Sequence, residues 1–233
     1  MLKVPPRAAS ANMVLRLLLC NWLIANWLIA ALAAGATAAE PLRIVVLGDS
    51  LVAGFGLRPS QAFPAQLERA LKARGRAVEV INAGVSGDTT AGGLERVSWA
   101  VPDGTDAVIL ELGANDALRG LDPRRAEANL DKIISIIRAR GAEVLLAGMM
   151  APRNLGEDYV RSFDAIYPAL AAKHRLLLYP FFLDGVALNA KLSLGDGLHP
   201  NDEGVGRITQ RILPLVERLI DGINAQRTGQ SRG

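Results

Sequence analysis

Short, continuous apolar runs alternate along the chain with longer stretches that have helical spacing. Four runs rich in valine, isoleucine and leucine predict strands buried on both faces, at residues 43–47, 78–81, 107–110 and 143–147. Each is followed by a predicted helix, at residues 61–73, 90–100, 123–140 and 158–173. A fifth strand is predicted at 176–179, and a last helix from about 202 to 220. This alternation predicts an α/β fold with a parallel sheet covered on both faces.

Two of the predicted helices carry informative boundary or interior residues. In the third helix, Asp122 is placed to cap the N-terminus, Pro123 to occupy the first turn and Gly141 to end it. The apolar face expected for that helix consists of Ala126, Leu130, Ile133, Ile134 and Ile137. Pro214 falls inside the last helix, where we expect a kink.

The first 38 residues differ in composition from the rest of the chain. Their basic residues are Lys3, Arg7 and Arg16, and they contain no acid. A largely apolar stretch at 17–34 and a small-residue run complete the layout of a signal peptide, with cleavage expected after Ala38 or after Ala39. We therefore expect a bacterial periplasmic or secreted protein with one domain at 39–223 and a flexible C-terminal tail at 224–233.

Charge and cysteine content change the picture once this leader is set apart. The chain of 233 residues has 26 basic and 23 acidic side chains, a formal net charge of +3. Because the leader carries the whole excess, the processed chain is neutral and no nucleic-acid partner is expected. The single cysteine, Cys20, also lies in the leader, so the processed chain forms no disulfide. Half of the residues are apolar, which excludes a disordered chain.

Two other interpretations of the leader stay open. Cys20 is a candidate lipidation site. The apolar stretch is also nearly long enough to span a bilayer, as an uncleaved anchor in the inner membrane. After cleavage we expect no obligate membrane partner, and the sequence leaves the oligomeric state open.

Polar residues cluster where the predicted strands end. Gly48-Asp49-Ser50 follows the first strand, residues 82–88 follow the second, and residues 113–116 follow the third. The segment 195–201 precedes the last helix. In a doubly wound sheet such segments converge at the carboxyl edge of the strands, where ligands bind.

Nucleophilic hydrolysis needs a hydroxyl, an imidazole base and a carboxylate that orients the base. The chain has two histidines, and His199 follows Asp196 by three residues, so one short segment offers both base and orienter. Ser50 is the candidate nucleophile because it follows a buried strand through a glycine. His174 lies at the polar end of a predicted helix, where we expect a solvated residue near the C-terminus.

Three hydrogen-bond donors are candidates for an oxyanion hole. They are the backbone N–H groups of Ser50 and Gly87 and the side-chain amide of Asn115. Taken singly, these residues are equally compatible with turns or helix caps. Their occurrence after three successive strands favours a shared site.

Four ordered blocks resemble those of the SGNH, or GDSL-type, hydrolases. The blocks are residues 48–51, Gly87, residues 113–116 and residues 196–200. The resemblance spans about residues 42–220. Within the family, the sequence is similar to bacterial secreted arylesterases, acyl-CoA thioesterases and lysophospholipases. Two departures are Ala114, where relatives often have glycine, and Pro214.

The resemblance implies a role for each candidate residue. Ser50 would be the nucleophile, His199 the base and Asp196 its orienter, with Ser50, Gly87 and Asn115 forming the oxyanion hole. It also implies a flavodoxin-like, three-layer α/β/α fold with a five-stranded, mainly parallel sheet, and chemistry that needs no metal or cofactor.

The expected function is hydrolysis of small-molecule carboxylic esters and thioesters through an acyl-enzyme. A carbohydrate O-acetyl esterase of the same fold and a noncatalytic flavodoxin-like binding domain stay open as alternatives. A nucleotide-binding domain is disfavoured because Gly48-Asp49-Ser50 is no glycine-rich phosphate loop.

The segment after the fourth strand stays apolar, and we expect it to form the acyl pocket. Met150 and Leu155 are predicted to line the acyl channel, with Pro152 stiffening the loop between them. The alternative is that Met149 and Met150 pack beneath the last helix.

Overall fold

The computed structural model of the chain describes residues 40–230. The expected leader at 1–38 lies outside these residues. The strands of the described part are β1 (Leu42–Gly48), β2 (Val78–Gly84), β3 (Ala107–Glu111), β4 (Glu143–Ala147) and β5 (Leu177–Tyr179). They form one sheet in the order β2-β1-β3-β4-β5, and every neighbouring pair is parallel. This is the flavodoxin-like order, so the predicted α/β fold is confirmed.

Helices cover both faces of the sheet. The α-helices within residues 40–230 are α1 (Ser50–Ala53), α2 (Phe63–Ala73), α3 (Thr90–Ala100), α4 (Ala114–Leu118), α5 (Pro123–Ala139), α6 (Glu157–Asp164), α7 (Ile166–His174) and α8 (Asp202–Gln230). Helix α2 packs against α8, while α5 packs against α3, α6 and α7. Among these residues no helix is both long enough and apolar enough to cross a membrane.

The central strands and helix α5 follow the sequence pattern closely. Strand β3 is buried along its whole length, as its continuous apolar run predicts. Helix α5 begins after Asp122, whose carboxylate accepts a hydrogen bond from the Arg124 N–H at 3.0 Å. The five residues expected on its apolar face are all buried.

The predicted helix at 158–173 is instead two helices, α6 and α7, which meet at Ala165. The physical reason is Pro168. Proline has no backbone N–H, so it cannot donate the helical hydrogen bond to the Asp164 carbonyl four residues earlier. The helical ladder is therefore interrupted where the two helices join.

Helix α8 is longer than predicted. It continues to Gln230, about ten residues past the expected end, and includes much of the segment expected as a tail. Gln226 Nε2 donates to Glu143 Oε1 at 3.4 Å, and Arg227 pairs with Asp106, so the last turns are bonded to the sheet. The helix is one continuous element across Pro214.

Two glycines of α8 give a matched test of this packing. A Cβ at Gly222 meets no described atom within 4 Å, so Gly222→Ala should raise the free energy of unfolding by about 0.5–1 kcal/mol through helix propensity. A Cβ at Gly204 would lie 2.1 Å from the Leu192 carbonyl oxygen, so Gly204→Ala should lower it by about 1–3 kcal/mol. Denaturant unfolding of both variants measures the difference. Equal effects would contradict the close contact at Gly204.

Candidate active site

The chain turns sharply from β1 into α1 at Gly48-Asp49-Ser50. A Cβ at Gly48 would lie 2.3 Å from Val52 Cγ2 and 2.6 Å from Glu111 Oε2. Any larger residue at this position would therefore clash with these two side chains. Asp49 caps α1, because its Oδ1 accepts the Leu51 N–H at 2.9 Å. The turn places Ser50 at the first position of α1 with 9% of the residue exposed.

Ser50, His199 and Asp196 form a continuous hydrogen-bonded chain. His199 Nε2 lies 2.9 Å from Ser50 Oγ, and His199 Nδ1 lies 2.6 Å from Asp196 Oδ2. The structure thus brings together the three predicted residues although 149 positions separate the serine from the histidine.

Asp196 is held as an ion by donors of its own loop. Its Oδ1 accepts the backbone N–H of His199 at 3.0 Å and that of Leu198 at 2.9 Å. The backbone bond from His199, followed by the bond to the His199 ring and the Leu198 N–H, lowers the pKa of Asp196 to about 2. Asp196 is therefore ionised at neutral pH and fixes the orientation of the imidazole.

The loop that carries His199 is anchored to the start of α8. Asn201 Nδ2 donates to the Lys191 carbonyl at 2.8 Å, and Asn201 Oδ1 accepts the Gly204 N–H at 2.9 Å. The Leu194 N–H donates to the His199 carbonyl at 2.7 Å. These bonds hold the backbone of the loop that carries the imidazole.

Phe55 is a site residue that our sequence analysis missed. Its ring centroid lies 4.4 Å from that of His199, with the planes tilted by 33°. The residue is 49% exposed, so it covers one side of the imidazole at the mouth of the site. Its position between Gly54 and Gly56 carries no distinctive sequence signal.

Hydrogen bonds connect two of the candidate oxyanion residues, Asn115 and Gly87, to neighbouring segments. Asn115, in α4, donates from Nδ2 to Asp49 Oδ2 at 3.1 Å and to the Asp88 carbonyl at 2.9 Å. Arg119 Nη2 donates to the Gly87 carbonyl at 2.8 Å. Gly87 has a φ of +81°, the left-handed region that glycine adopts readily. The segment after β2 is thus tied to α4 at both Gly87 and Asp88.

Arg96, on α3, links the ends of β1 and β2. The guanidinium is nearly buried and donates to the carbonyls of Gly48 at 2.8 Å and Ala83 at 2.7 Å. Its Nε lies 2.6 Å from Asp88 Oδ2. Sequence analysis missed this residue, because an arginine within a helical pattern gives no sign that it is turned toward the sheet.

Asp116, next to the candidate oxyanion residue, joins two helices. Its Oδ2 accepts the Thr90 N–H at 2.8 Å and its Oδ1 accepts the Thr90 hydroxyl at 2.6 Å. Because Thr90 is the first residue of α3, Asp116 fastens α4 to the start of that helix.

A pair of buried carboxyl groups lies beneath the serine turn. Asp49 and Glu111 are fully buried, and Glu111 Oε2 accepts the Asp49 N–H at 3.3 Å. Burial raises the pKa of Asp49 to about 6, against the opposing effect of the Leu51 N–H. Burial and then the charge of Asp49 raise the pKa of Glu111 well above its usual range. Glu111 had no predicted role, although an acid at the end of an apolar strand was a usable signal.

His174 is not the solvated residue that we expected. Its Nε2 lies 2.6 Å from Asp131 Oδ1, and 15% of its side chain is exposed. The histidine therefore joins α7 to α5. His174 does lie at the C-terminal end of a helix, as predicted, but its side chain contacts a carboxylate on a neighbouring helix.

A cavity of about 290 Å³ opens beside Ser50. Its lining residues are Asp49, Ser50, Leu51, Ala114, Asn115, Ala117, Leu118, Met149, Met150, Pro152, Phe181, Leu183, Leu198 and His199. Of the three residues predicted to form the acyl pocket, Met150 and Pro152 line this cavity and Leu155 does not. The chain turns into a 3₁₀ helix after Pro152, and Arg153 pairs with Asp164 at 2.7 Å, which directs the segment toward α6.

Comparisons with known proteins identify the family. A profile of the GDSL-like Lipase/Acylhydrolase family matches residues 46–207. The chain belongs to this family. The GDSL-like chain is 41% identical over 190 residues to an arylesterase of Vibrio mimicus, covering 81% of this chain and 94% of the relative. It is 38% identical over 187 residues to thioesterase 1/protease 1/lysophospholipase L1 of Escherichia coli K12, covering 80% and 88%.

A solved structure agrees with the assignment. The GDSL-like chain matches the crystal structure of TesA with a TM-score of 0.72 and 38% identity, over 76% of this chain and 99% of that one. The resemblance found in the four sequence blocks is therefore confirmed, and the protein is an ester hydrolase of the SGNH type.

Proposed function

We propose that this ester hydrolase uses Ser50 as nucleophile, His199 as general base and Asp196 as the residue that orients the base. The observation that carries the proposal is the continuous chain from Ser50 Oγ to His199 Nε2 and from His199 Nδ1 to Asp196. It opens onto a largely apolar cavity. Neither a metal nor a cofactor enters the proposed reaction.

In acylation, Ser50 Oγ attacks the carbonyl carbon of the substrate while its proton passes to His199 Nε2. The carbonyl π electrons move onto oxygen, which forms a tetrahedral intermediate. Its collapse breaks the bond to the leaving alkoxide or thiolate, and His199 returns the proton to that group. Water then attacks the acyl-enzyme by the same sequence and releases the acid.

The negative oxygen of the intermediate is stabilised by the backbone N–H groups of Ser50 and Gly87 and by the Asn115 amide. In the unliganded site Asn115 Nδ2 already contacts Asp49 Oδ2 and the Asp88 carbonyl. An N–H of the Asn115 amide therefore has two acceptors in the intermediate: the oxyanion, and either Asp49 Oδ2 or the Asp88 carbonyl, which already orients it. This arrangement orients the amide before the charge develops.

The substrates are carboxylic esters and thioesters with apolar acyl or aryl groups. Within residues 40–230, the polar side chains lining the cavity are Asp49, Ser50, Asn115 and His199, and all of them belong to the proposed machinery or contact it. A carbohydrate O-acetyl esterase would need further polar groups for sugar hydroxyls. The arylesterase and the thioesterase/lysophospholipase among the relatives support the same substrate class.

Residues 1–38 direct export to the periplasm or the exterior, and they are removed after Ala38 or Ala39. The basic start, the apolar stretch and the small residues before the cut support this assignment. N-terminal sequencing of the protein recovered from the periplasm should give Ala39 or Glu40. Recovery with the leader intact in the membrane fraction would instead identify it as an anchor.

Ser50→Ala and His199→Ala should each lower kcat for p-nitrophenyl esters by about 10³-fold or more, because each removes part of one catalytic unit. The double variant should lose little more than either single variant. His174→Ala is the matched control, since this histidine pairs with Asp131 and does not line the cavity. Near wild-type hydrolysis by folded His199→Ala protein would overturn the assignment.

Leu118 and Leu121 give a matched test of acyl specificity. Both are about half exposed, but Leu118 lines the cavity and Leu121 does not. Leu118→Ala should lower kcat/KM about tenfold for octanoyl esters and thioesters, at about 0.8 kcal/mol per lost methylene contact, with a smaller effect on acetyl esters. Leu121→Ala should leave the chain-length profile as it is. An equal loss for acetyl and octanoyl substrates with Leu118→Ala would place the acyl chain elsewhere.

A further inference from the structure

Glu111 is a fully buried acid that the proposed reaction does not use. It is the last residue of β3, and its Oε2 accepts the Asp49 N–H at 3.3 Å. Its Oε1 is buried and has no hydrogen-bond donor among the described residues. An ionised carboxylate with a single long hydrogen bond is a costly group to bury. A neutral carboxyl instead brings its own donor.

Within residues 40–230, the groups around Glu111 offer acceptors but no free cation. Asp49, whose N–H donates to Glu111 Oε2, is buried beside it, and Arg96 directs its donors to the carbonyls of Gly48 and Ala83 and to Asp88. The buried Tyr167 hydroxyl donates to the Leu112 carbonyl. Two adjacent buried carboxyls cannot both be charged under these conditions, so the pair keeps one proton.

The hydrogen bonds of Asp49 show which carboxyl carries the charge. Asp49 accepts from the Leu51 N–H at 2.9 Å and from Asn115 Nδ2 at 3.1 Å, whereas Glu111 accepts from the Asp49 N–H alone among the described groups. Donors stabilise a carboxylate, so the negative charge belongs on Asp49 and the proton on Glu111. Glu111 then carries a proton that it can donate to the neighbouring Asp49 carboxylate.

We propose that Glu111 is a positioning residue for ester hydrolysis: as a neutral acid it donates a hydrogen bond to Asp49, and Asp49 held in this way fixes the amide of Asn115 beside Ser50. The inference rests on the proposed role of Asn115 in the oxyanion hole. It assigns a role in the reaction to a residue that does not line the cavity beside Ser50.

The proposal predicts an effect on kcat more than on KM. Asn115 interacts most strongly with the charge that develops in the transition state, so an amide that is free to turn loses transition-state stabilisation while substrate still binds. Without Glu111, Asp49 loses the donor that opposes its movement. Asn115 then loses one of its two acceptors and is held by the Asp88 carbonyl alone.

Two substitutions separate a neutral donor from a charged acceptor at this position. Glu111→Gln keeps a neutral N–H donor of similar size, so at least about a third of kcat should remain. Glu111→Leu removes the donor, so kcat should fall about tenfold or more with KM changed less than about threefold. Replacing a buried acid by a residue of similar volume often leaves folding intact, which a thermal melt of each variant checks.

A double-variant cycle tests whether Glu111 acts through the amide. Asn115→Ala alone should lower kcat about a hundredfold. In that background, Glu111→Leu should lower kcat by less than about threefold, because the group that it positions is already gone. Equal losses from Glu111→Leu with and without Asn115 would overturn the proposal. An unchanged kcat in Asn115→Ala would instead refute the oxyanion role itself, which keeps the two failures distinguishable.

The pH dependence of unfolding tests the protonation of Glu111 without using activity. A proton held in the folded state and released on unfolding makes stability fall as pH rises above the ordinary glutamate value of 4.5. The folding equilibrium constant of wild type should therefore fall relative to that of Glu111→Gln between pH 4.5 and 7.5, by up to about tenfold per unit. Both proteins keep Asp49 and Tyr167, the other titratable groups facing this position.

Glu68→Gln is the matched control for the pH measurement. The pKa of Glu68 is lowered by its bonds to Lys72 and to the Val80 N–H, so wild type and this variant should keep a constant ratio of folding constants over the same range. A constant ratio for Glu111→Gln as well would show that Glu111 is ionised and overturn the proposal. So would a loss of kcat in Glu111→Gln as large as that in Glu111→Leu.

Discussion

The site depends on a reversal of chain direction between β1 and α1 that takes place almost out of contact with water. The carbonyl of Gly48 and the backbone N–H and carboxyl of Asp49 are buried there, and buried polar groups without partners are strongly destabilising. Each of them is bonded to a group from another element, including Arg96 from α3 and Asn115 from α4. Ser50, the proposed nucleophile, is therefore held in place by the hydrogen bonds of Gly48 and Asp49 as well as by apolar packing.

That constraint explains why distant segments meet at this edge. Arg96 and Asn115 both bond to the segment after β2, at Asp88, and both also bond to the serine turn. Three strand ends are thus joined through shared acceptors before any substrate is present. Such preorganisation is what lets donors stabilise a developing charge without first being reoriented. The loop bearing His199 completes the site from the start of α8.

Sequence alone could predict the elements whose local pattern decides their structure. The positions of the strands along the chain and α5 follow from continuous apolar runs and clear helix signals. The candidate triad could be predicted because two histidines and an Asp196–His199 spacing leave few choices. Residues that depend on tertiary neighbours could not be predicted. Arg96 points toward the sheet, where it donates to the carbonyls of Gly48 and Ala83. His174 is largely buried because it bonds to Asp131 on an adjacent helix. Leu155 lies outside the cavity lining because the chain forms a 3₁₀ helix at Arg153–Leu155, which hydrophobic periodicity does not predict.

The acids of the site divide into two environments with opposite consequences for charge. Asp196 lies in an exposed loop with several donors, so it remains an anion. In the proposed reaction it supports the positive charge that forms on His199. Asp49 and Glu111 are buried together beneath the oxyanion donors, where burial raises both pKa values. Two anions there would repel the negative oxygen of the tetrahedral intermediate. In the proposed arrangement a shared proton leaves one negative charge, which orients Asn115, while the second carboxyl stays neutral. Carboxylic acids therefore supply a fixed anion beside the imidazole and, in the proposed arrangement, a pair with a single negative charge beside the oxyanion donors. The charge distribution of the site follows from how deeply each acid is buried.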